Sequence, residues 1–160
     1  MIQRIQTLYY AVSMILLSIL LTGTEFFQFV NDKKSVGVSV YGLLTHETEN
    51  GKSVVVDEVR FPLYLSVIGL ILFIFIVLMG YKNLKRQFQL ARSVFFIYLA
   101  FVVGIVIFAV FGADWLNVNE GKRELGLGFL LFILGFPFCF LAQLGIKRDK
   151  NLIDSLDRLR

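Results

Sequence analysis

Four runs without a single charged residue constrain this chain more than anything else in it: Ile5–Thr24, Phe61–Tyr81, Ser93–Ala113 and Leu125–Ile146. Each is 20 to 22 residues long. At about 1.5 Å of rise per residue, a helix of that length reaches roughly 30 Å, the thickness of a bilayer's hydrocarbon core. In hydrocarbon every backbone polar group must be satisfied within the chain, and a helix does so locally. The expectation is an all-α membrane protein with one integral domain over residues 1–160. It is a four-transmembrane-helix up-down bundle with spans at 5–24, 61–81, 93–113 and 125–146, and a small β-hairpin or sheet in the first outward loop.

Composition agrees. The chain is 57% hydrophobic and only 18% charged, with 17 Phe and 2 Pro. A soluble domain needs more charge than this and does not carry four long uncharged stretches. The net charge of +4 is no nucleic-acid signal, because the basic residues sit in short clusters beside the apolar runs. The lone Cys139 excludes an intramolecular disulfide.

Lys and Arg set the orientation. Arg4 precedes the first run, and Lys82, Lys85, Arg86 and Arg92 fill the second connection, with no acid in either segment. Five basic residues follow Ile146, against Asp149, Asp154 and Asp157. The connections 25–60 and 114–124 together hold six basic and nine acidic residues. Cytoplasmic flanks carry the excess of Lys and Arg, so both termini and the middle connection are expected in the cytoplasm, the other two loops outside. The exit of the first run, Thr22-Gly23-Thr24-Glu25-Phe26, offers no small-x-small cleavage site, so that run is read as a retained helix rather than a signal peptide.

Lipid gives helices no hydrophobic reason to associate, so small residues are expected at their contacts. Ala100 with Gly104, Gly128 with Gly135, and Gly69 are the candidates, and Ser13, Ser18 and Thr22 stripe the first run with hydroxyls that can bond to backbone carbonyls. Phe95, Phe96 and Phe101 are assigned to lipid or a partner. Pro137, inside the fourth run, removes a backbone donor and crowds the carbonyl of Ile133, so a kink is expected there.

The loop 25–60 is the place for ordered extramembrane structure. Val36, Val38 and Val40 alternate with Gly37, Ser39 and Tyr41, the period of a strand, and Gly42 interrupts the pattern. Asn50-Gly51 is a strong two-residue hairpin signal, which sets Glu49 opposite Lys52, Glu47 opposite Val54 and His46 opposite Val55. A sheet of two or three antiparallel strands follows. It needs support from the helix ends, because an isolated hairpin is marginal in water. Phe26, Phe27, Phe29 and Trp115 are assigned to the outer interface.

Chemistry is sparse. No Asp, Glu, Lys, Arg or His falls inside any run, which argues against coupled transport, where a moving charge needs an intramembrane partner. His46, Glu47 and Glu49 are donor types a metal could use, but in a strand His46 and Glu47 point to opposite faces. No GxGxxG, Walker A, HExxH or CxxC sequence occurs. No cofactor, metal or catalytic residue is expected, and no enzymatic activity.

The two ends are the most distinctive segments. After Lys147, the residues Leu152, Ile153, Leu156 and Leu159 share one face of an amphipathic helix that Asp149 or Asn151 can cap, with Asp154 and Arg158 spaced to pair. The opening Met1-Ile2-Gln3-Arg4-Ile5-Gln6-Thr7-Leu8-Tyr9 and the closing Asp157-Arg158-Leu159-Arg160 resemble a family of small four-helix inner-membrane proteins of Bacteroidota, known as a domain of unknown function. That resemblance runs the length of the chain and implies the same location and topology, with no catalytic residues. The plan is also similar to the claudin-like tetraspan arrangement, yet Trp115 stands in the second outward loop and Cys139 in a helix, so only the architecture is shared.

The functional expectation is a non-catalytic accessory or assembly subunit of a larger inner-membrane complex. Its partners would be the lipid bilayer and other membrane subunits, with no nucleic acid. Gln3, Arg4, Leu156, Arg158, Leu159 and Arg160 are the candidate partner-binding residues, the arginines because their guanidinium forks suit carboxylates and phosphates. The alternative is a pore or facilitator, built by a homo-oligomer, for a neutral or lipid-like solute.

Overall fold

The computed structural model describes residues 3–30, 34–49, 52–115 and 122–157. It holds four helices, α1 (Gln3–Leu20), α2 (Leu63–Met79), α3 (Leu84–Trp115) and α4 (Leu127–Asp157), and five strands, β1 (Glu25–Val30), β2 (Lys34–Ser39), β3 (Gly42–Glu49), β4 (Lys52–Arg60) and β5 (Lys122–Leu125). Three helices, α2, α3 and α4, are long and apolar enough to cross a membrane, and the apolar part of α1, Ile5–Leu20, is shorter.

Two helices outrun the apolar sequence that announces them. Only a single 3-10 turn, Gly80–Lys82, and Asn83 separate α2 from α3. The Asn83 side-chain oxygen accepts from the Arg86 N–H at 3.3 Å, satisfying a donor that the helix start leaves open. The basic middle connection is therefore mostly helix, since Leu84–Arg92 consists of good helix formers. Similarly, the segment after Ile146 continues α4 through Asp157 instead of forming a separate surface helix. Nothing between Lys147 and Asp157 is Gly or Pro, so nothing stops the helix. Pro137 lies inside α4, which is assigned as one helix across it.

The sheet is larger than a hairpin, so the protein is predominantly helical rather than all-α. Its order is β4-β3-β2-β1-β5, and every neighbouring pair is antiparallel. The β3–β4 register pairs Glu49 with Lys52, Glu47 with Val54 and His46 with Val55, as the Asn50-Gly51 signal requires; those two turn residues lie outside the described ones. Val36, Val38 and Val40 are buried together, in keeping with their period of two. β1 and β5 are additions that the sequence pattern did not announce. β5 joins the segment ahead of α4 to the first loop, and the Gly126 N–H donates to the Phe26 carbonyl at 2.9 Å.

Phe26, Phe27 and Phe29 are core residues, 4%, 4% and 1% exposed, and not interface anchors. A register irregularity between Glu25 and Phe27 turns two consecutive rings inward, which regular alternation forbids. Phe26 meets Phe132 of α4 edge-on at 6.0 Å, and Phe27 meets Phe129 at 5.2 Å. The apolar face of the sheet thus rests on the start of α4.

α4 packs against both α1 and α3. Ser13 of α1 donates to the carbonyl of Gly135 at 3.1 Å, whereas Ser18 and Thr22 bond to carbonyls of their own segment. Tyr98 of α3 donates to the Phe132 carbonyl at 2.8 Å. A Cβ on Gly135 would lie 2.3 Å from the Tyr98 oxygen, so this glycine is a true small-residue contact. Phe95 stacks on Phe136 and Phe140 at 5.3 and 5.4 Å, which moves it from a lipid-facing assignment into the α3–α4 interface. Phe96 is exposed, as expected.

Gly42 closes the β3–β4 ladder where both strands approach α2. Its φ is +147°, and a Cβ there would sit 2.2 Å from the Val59 carbonyl oxygen. Side-chain-bearing residues rarely adopt that backbone conformation. Gly42→Ala is expected to destabilise the fold by about 1–3 kcal/mol or more. Thermal unfolding in detergent checks this; an unchanged melting temperature would refute it.

Candidate functional site

A break in the packing lies between α2 and α3. Near their connecting turn the two helices are in contact: Gln87 is buried and donates to the Val77 carbonyl at 3.2 Å. The buried stripe of α3 runs through Gln87, Ala91, Val94 and Tyr98 and then ends; no residue from 99 to 111 is buried. Beyond Tyr98 the wall of α3 is open toward the sheet end of α2. Its first turn hangs from the strands, with the Tyr64 N–H donating to the Val40 carbonyl at 2.9 Å.

The result is a lateral crevice of about 530 Å³. Leu63, Ser66, Val67 and Leu70 of α2 form one wall, and Ala100, Phe101, Gly104, Ile105 and Phe108 of α3 the other. Phe26, Phe27, Val38 and Leu43 of the sheet roof it, Phe132 of α4 closes the back, and Phe61 stands at the roof's edge. Ser66 supplies the single hydroxyl among these lining residues. Volume and lining match those of small-molecule sites, which are concave, mostly apolar and furnished with few polar groups.

This location corrects one sequence reading. Ala100 and Gly104 do not seat a neighbouring helix: a Cβ on Gly104 would meet nothing within 4 Å, and the same holds for Gly69. Both small residues of α3 line the crevice instead. Spacing alone cannot separate a small-residue contact from a small-residue cavity wall, because both need the same missing side chains.

A second cleft, of about 710 Å³, adjoins the crevice at the sheet end and shares Gly42, Leu43 and Phe61 with it. Its lining is different: Thr22, Ser39, Tyr41, Arg60 and Tyr64 bring hydroxyls and a guanidinium. The rings of Tyr41 and Tyr64 lie 5.7 Å apart, and Tyr41 donates to the Leu21 carbonyl at 2.6 Å, tying the cleft to the end of α1.

At the far end of the helices, α1 and α4 are clasped by polar groups. Gln6 is buried and donates to Asp149 at 2.5 Å. A Cβ on Gly145 would lie 2.7 Å from the Gln6 side chain, so the glycine admits it. Asp149 thus ties α4 to α1 instead of capping a tail helix. Lys150 lies over the Phe88 ring at 5.0 Å and links α4 to the start of α3. Gln143 has a buried side-chain oxygen without a hydrogen-bond partner.

Of the sequence-nominated partner residues, Gln3 and Arg4 fall in the first turn of α1 and Leu156 in the last turn of α4. The Gln6–Asp149 bond ties the start of α1 to α4 eight residues before the end of that helix at Asp157. Arg158, Leu159 and Arg160 lie outside the described residues. Among the described residues no group of three His, Cys, Asp or Glu side chains gathers where it could hold a metal ion. Every residue of the crevice was missed as a site, since apolar side chains at helical spacing read as core or lipid face.

Asp149→Ala is expected to leave the buried Gln6 amide without its acceptor and to destabilise the α1–α4 clasp by about 1–3 kcal/mol. Asp149→Asn keeps an acceptor oxygen and should lose less. Equal melting temperatures for wild type and Asp149→Ala in detergent would show that the bond contributes nothing.

A search of curated proteins finds no match. A family model matches residues 2–159, nearly the whole chain, and its description is a domain of unknown function. Four helices, an antiparallel sheet on one side and a crevice between α2 and α3 are thus the structure of a member of the DUF4293 family, to which this chain belongs.

Proposed function

We propose that the protein is a non-catalytic membrane component that holds the hydrocarbon chain of a lipid-like molecule in the crevice between α2 and α3. The observation that carries this reading is the crevice itself: about 530 Å³, apolar on every side, and walled by residues of two apolar helices. The helices' outer faces support a bilayer setting. Leu65, Leu72 and Met79 of α2 are 58%, 56% and 60% exposed, and comparable residues surround α3 and α4. In water such a belt would be an aggregation surface; in hydrocarbon it meets its own kind.

The setting we propose has four spans. The 18 residues of α1 reach about 27 Å, close to the roughly 30 Å of a hydrocarbon core. α1 runs into β1, α2 leaves β4, α3 precedes β5, and α4 follows it. All four helices therefore have one end at a single sheet, which supports an up-down bundle. The Lys and Arg distribution supports placing the sheet outside an inner membrane and both termini in the cytoplasm.

The second reading is an accessory subunit that docks on the helices of a larger complex, favoured by the exposed apolar faces and the joined ends of α1 and α4. A partner helix does not suit the crevice. A helix is about 10–12 Å across with side chains, so 530 Å³ would hold roughly one turn of it. A hydrocarbon chain is far thinner. Docking on a partner would use the outer faces, and lipid binding within an assembly unites the two readings.

One preparation tests both. The tagged protein is isolated in mild detergent, and its lipids and proteins are identified by mass spectrometry. Wild type should retain lipid, and Gly104→Phe, which fills open space without a backbone clash, should retain about tenfold less, a change worth about 1.4 kcal/mol. Undiminished lipid in a folded Gly104→Phe protein contradicts the crevice reading. A stoichiometric membrane partner without bound lipid favours the accessory subunit.

A further inference from the structure

The crevice does not end at the sheet. It opens beside Gly42, Leu43 and Phe61 into the second cleft, and these three residues belong to both spaces. One side of this boundary is apolar, with Ser66 the only hydroxyl; the other carries Thr22, Ser39, Tyr41, Tyr64 and Arg60. Change of polarity across a shared wall is the signature of an amphiphile's site, as each half matches one end of the ligand.

We propose that the lipid-like molecule of the crevice carries an anionic head group, which the cleft at Arg60 seats. This rests on the reading of the crevice as a chain-binding site and names the class of molecule it takes. Among the described residues, Arg60 is the one charged side chain lining the cleft. It is exposed and immediately precedes Phe61, one of the three residues that line both spaces. A guanidinium offers paired donors that fit a phosphate or carboxylate.

One further feature points the same way. The Tyr41 and Tyr64 rings flank the cleft and suit the depth at which aromatic residues meet lipid head groups. The ligand therefore enters from the leaflet on the sheet side, chain between α2 and α3, head at Arg60.

The test uses the full-length protein in detergent with two single-chain probes of identical acyl chain, lysophosphatidylglycerol and lysophosphatidylcholine. Binding is measured by native mass spectrometry, with thermal unfolding as a check on fold. Wild type should bind the anionic probe about tenfold better than the zwitterionic one. Arg60→Gln should bring the two to parity while still binding both, and Arg60→Lys should recover part of the preference. Gly104→Phe should lose both probes. A preference that survives Arg60→Gln, or no preference in wild type, overturns the head-group assignment and leaves chain binding standing. Loss of both probes in a folded Arg60→Gln protein also overturns it, because Arg60 would then support the chain site. Undiminished binding in Gly104→Phe overturns the crevice reading, and the head-group assignment with it.

Discussion

The antiparallel sheet is the constraint on which the rest of the structure depends. Segments that leave a helix at a membrane surface must still satisfy their backbone N–H and C=O groups. Here the 25–60 segment and the short β5 segment do so with one another, through a single ladder from β4 to β5. Strands β1, β4 and β5 of that ladder adjoin the ends of α1, α2 and α4 in the chain. Phe26 and Phe27 then press the sheet onto α4, and Gly126 and Gly128 accommodate the close approach: a Cβ on either glycine would fall within 3 Å of the Glu25 carbonyl oxygen.

Because the sheet fixes the helix ends, it also fixes where packing fails. α4 is held against α1 by Ser13 and Gln6 and against α3 by Tyr98 and Phe95. α2 touches both α1 and α3 and buries Val67, Leu70, Ile74 and Val77, but it packs less extensively than α4 does. It is held at one end by the Tyr64–Val40 backbone bond and at the other by Gln87, and near the sheet the crevice separates its Leu63–Leu70 stretch from α3. A soluble protein would collapse such a gap, since burying apolar surface is favourable in water. In the bilayer setting proposed above the gap would carry no such penalty, and a hydrocarbon chain could line it.

Much of this was legible in the sequence, for reasons that can be named. Uncharged length announced the helices, and the Asn50-Gly51 signal with the alternating valines gave the register of β3 with β4. β1 was hidden because Phe26 and Phe27 are adjacent and apolar, which fits an interfacial anchor as well as a bulged strand. β5, Lys122–Leu125, is four residues long and fully exposed, so it has no periodicity to read. The reach of α3 and α4 beyond the apolar runs was obscured by their charged ends, since charge marks the membrane boundary and not the end of a helix. The crevice was invisible for a different reason: it is defined by what α2 does not touch, and no local pattern records the absence of a neighbour.

The central claim is that a lipid-like molecule occupies the space between α2 and α3 in the membrane. The most direct measurement is photocrosslinking of the protein, in phospholipid vesicles, to a lipid with a diazirine in its acyl chain, followed by mapping of the adducts. The account predicts adducts concentrated on Leu63–Leu70 and Ala100–Phe108, at a level well above that on other exposed apolar positions such as Leu127, Leu130 and Leu134. Even labelling of every apolar helix face would contradict it.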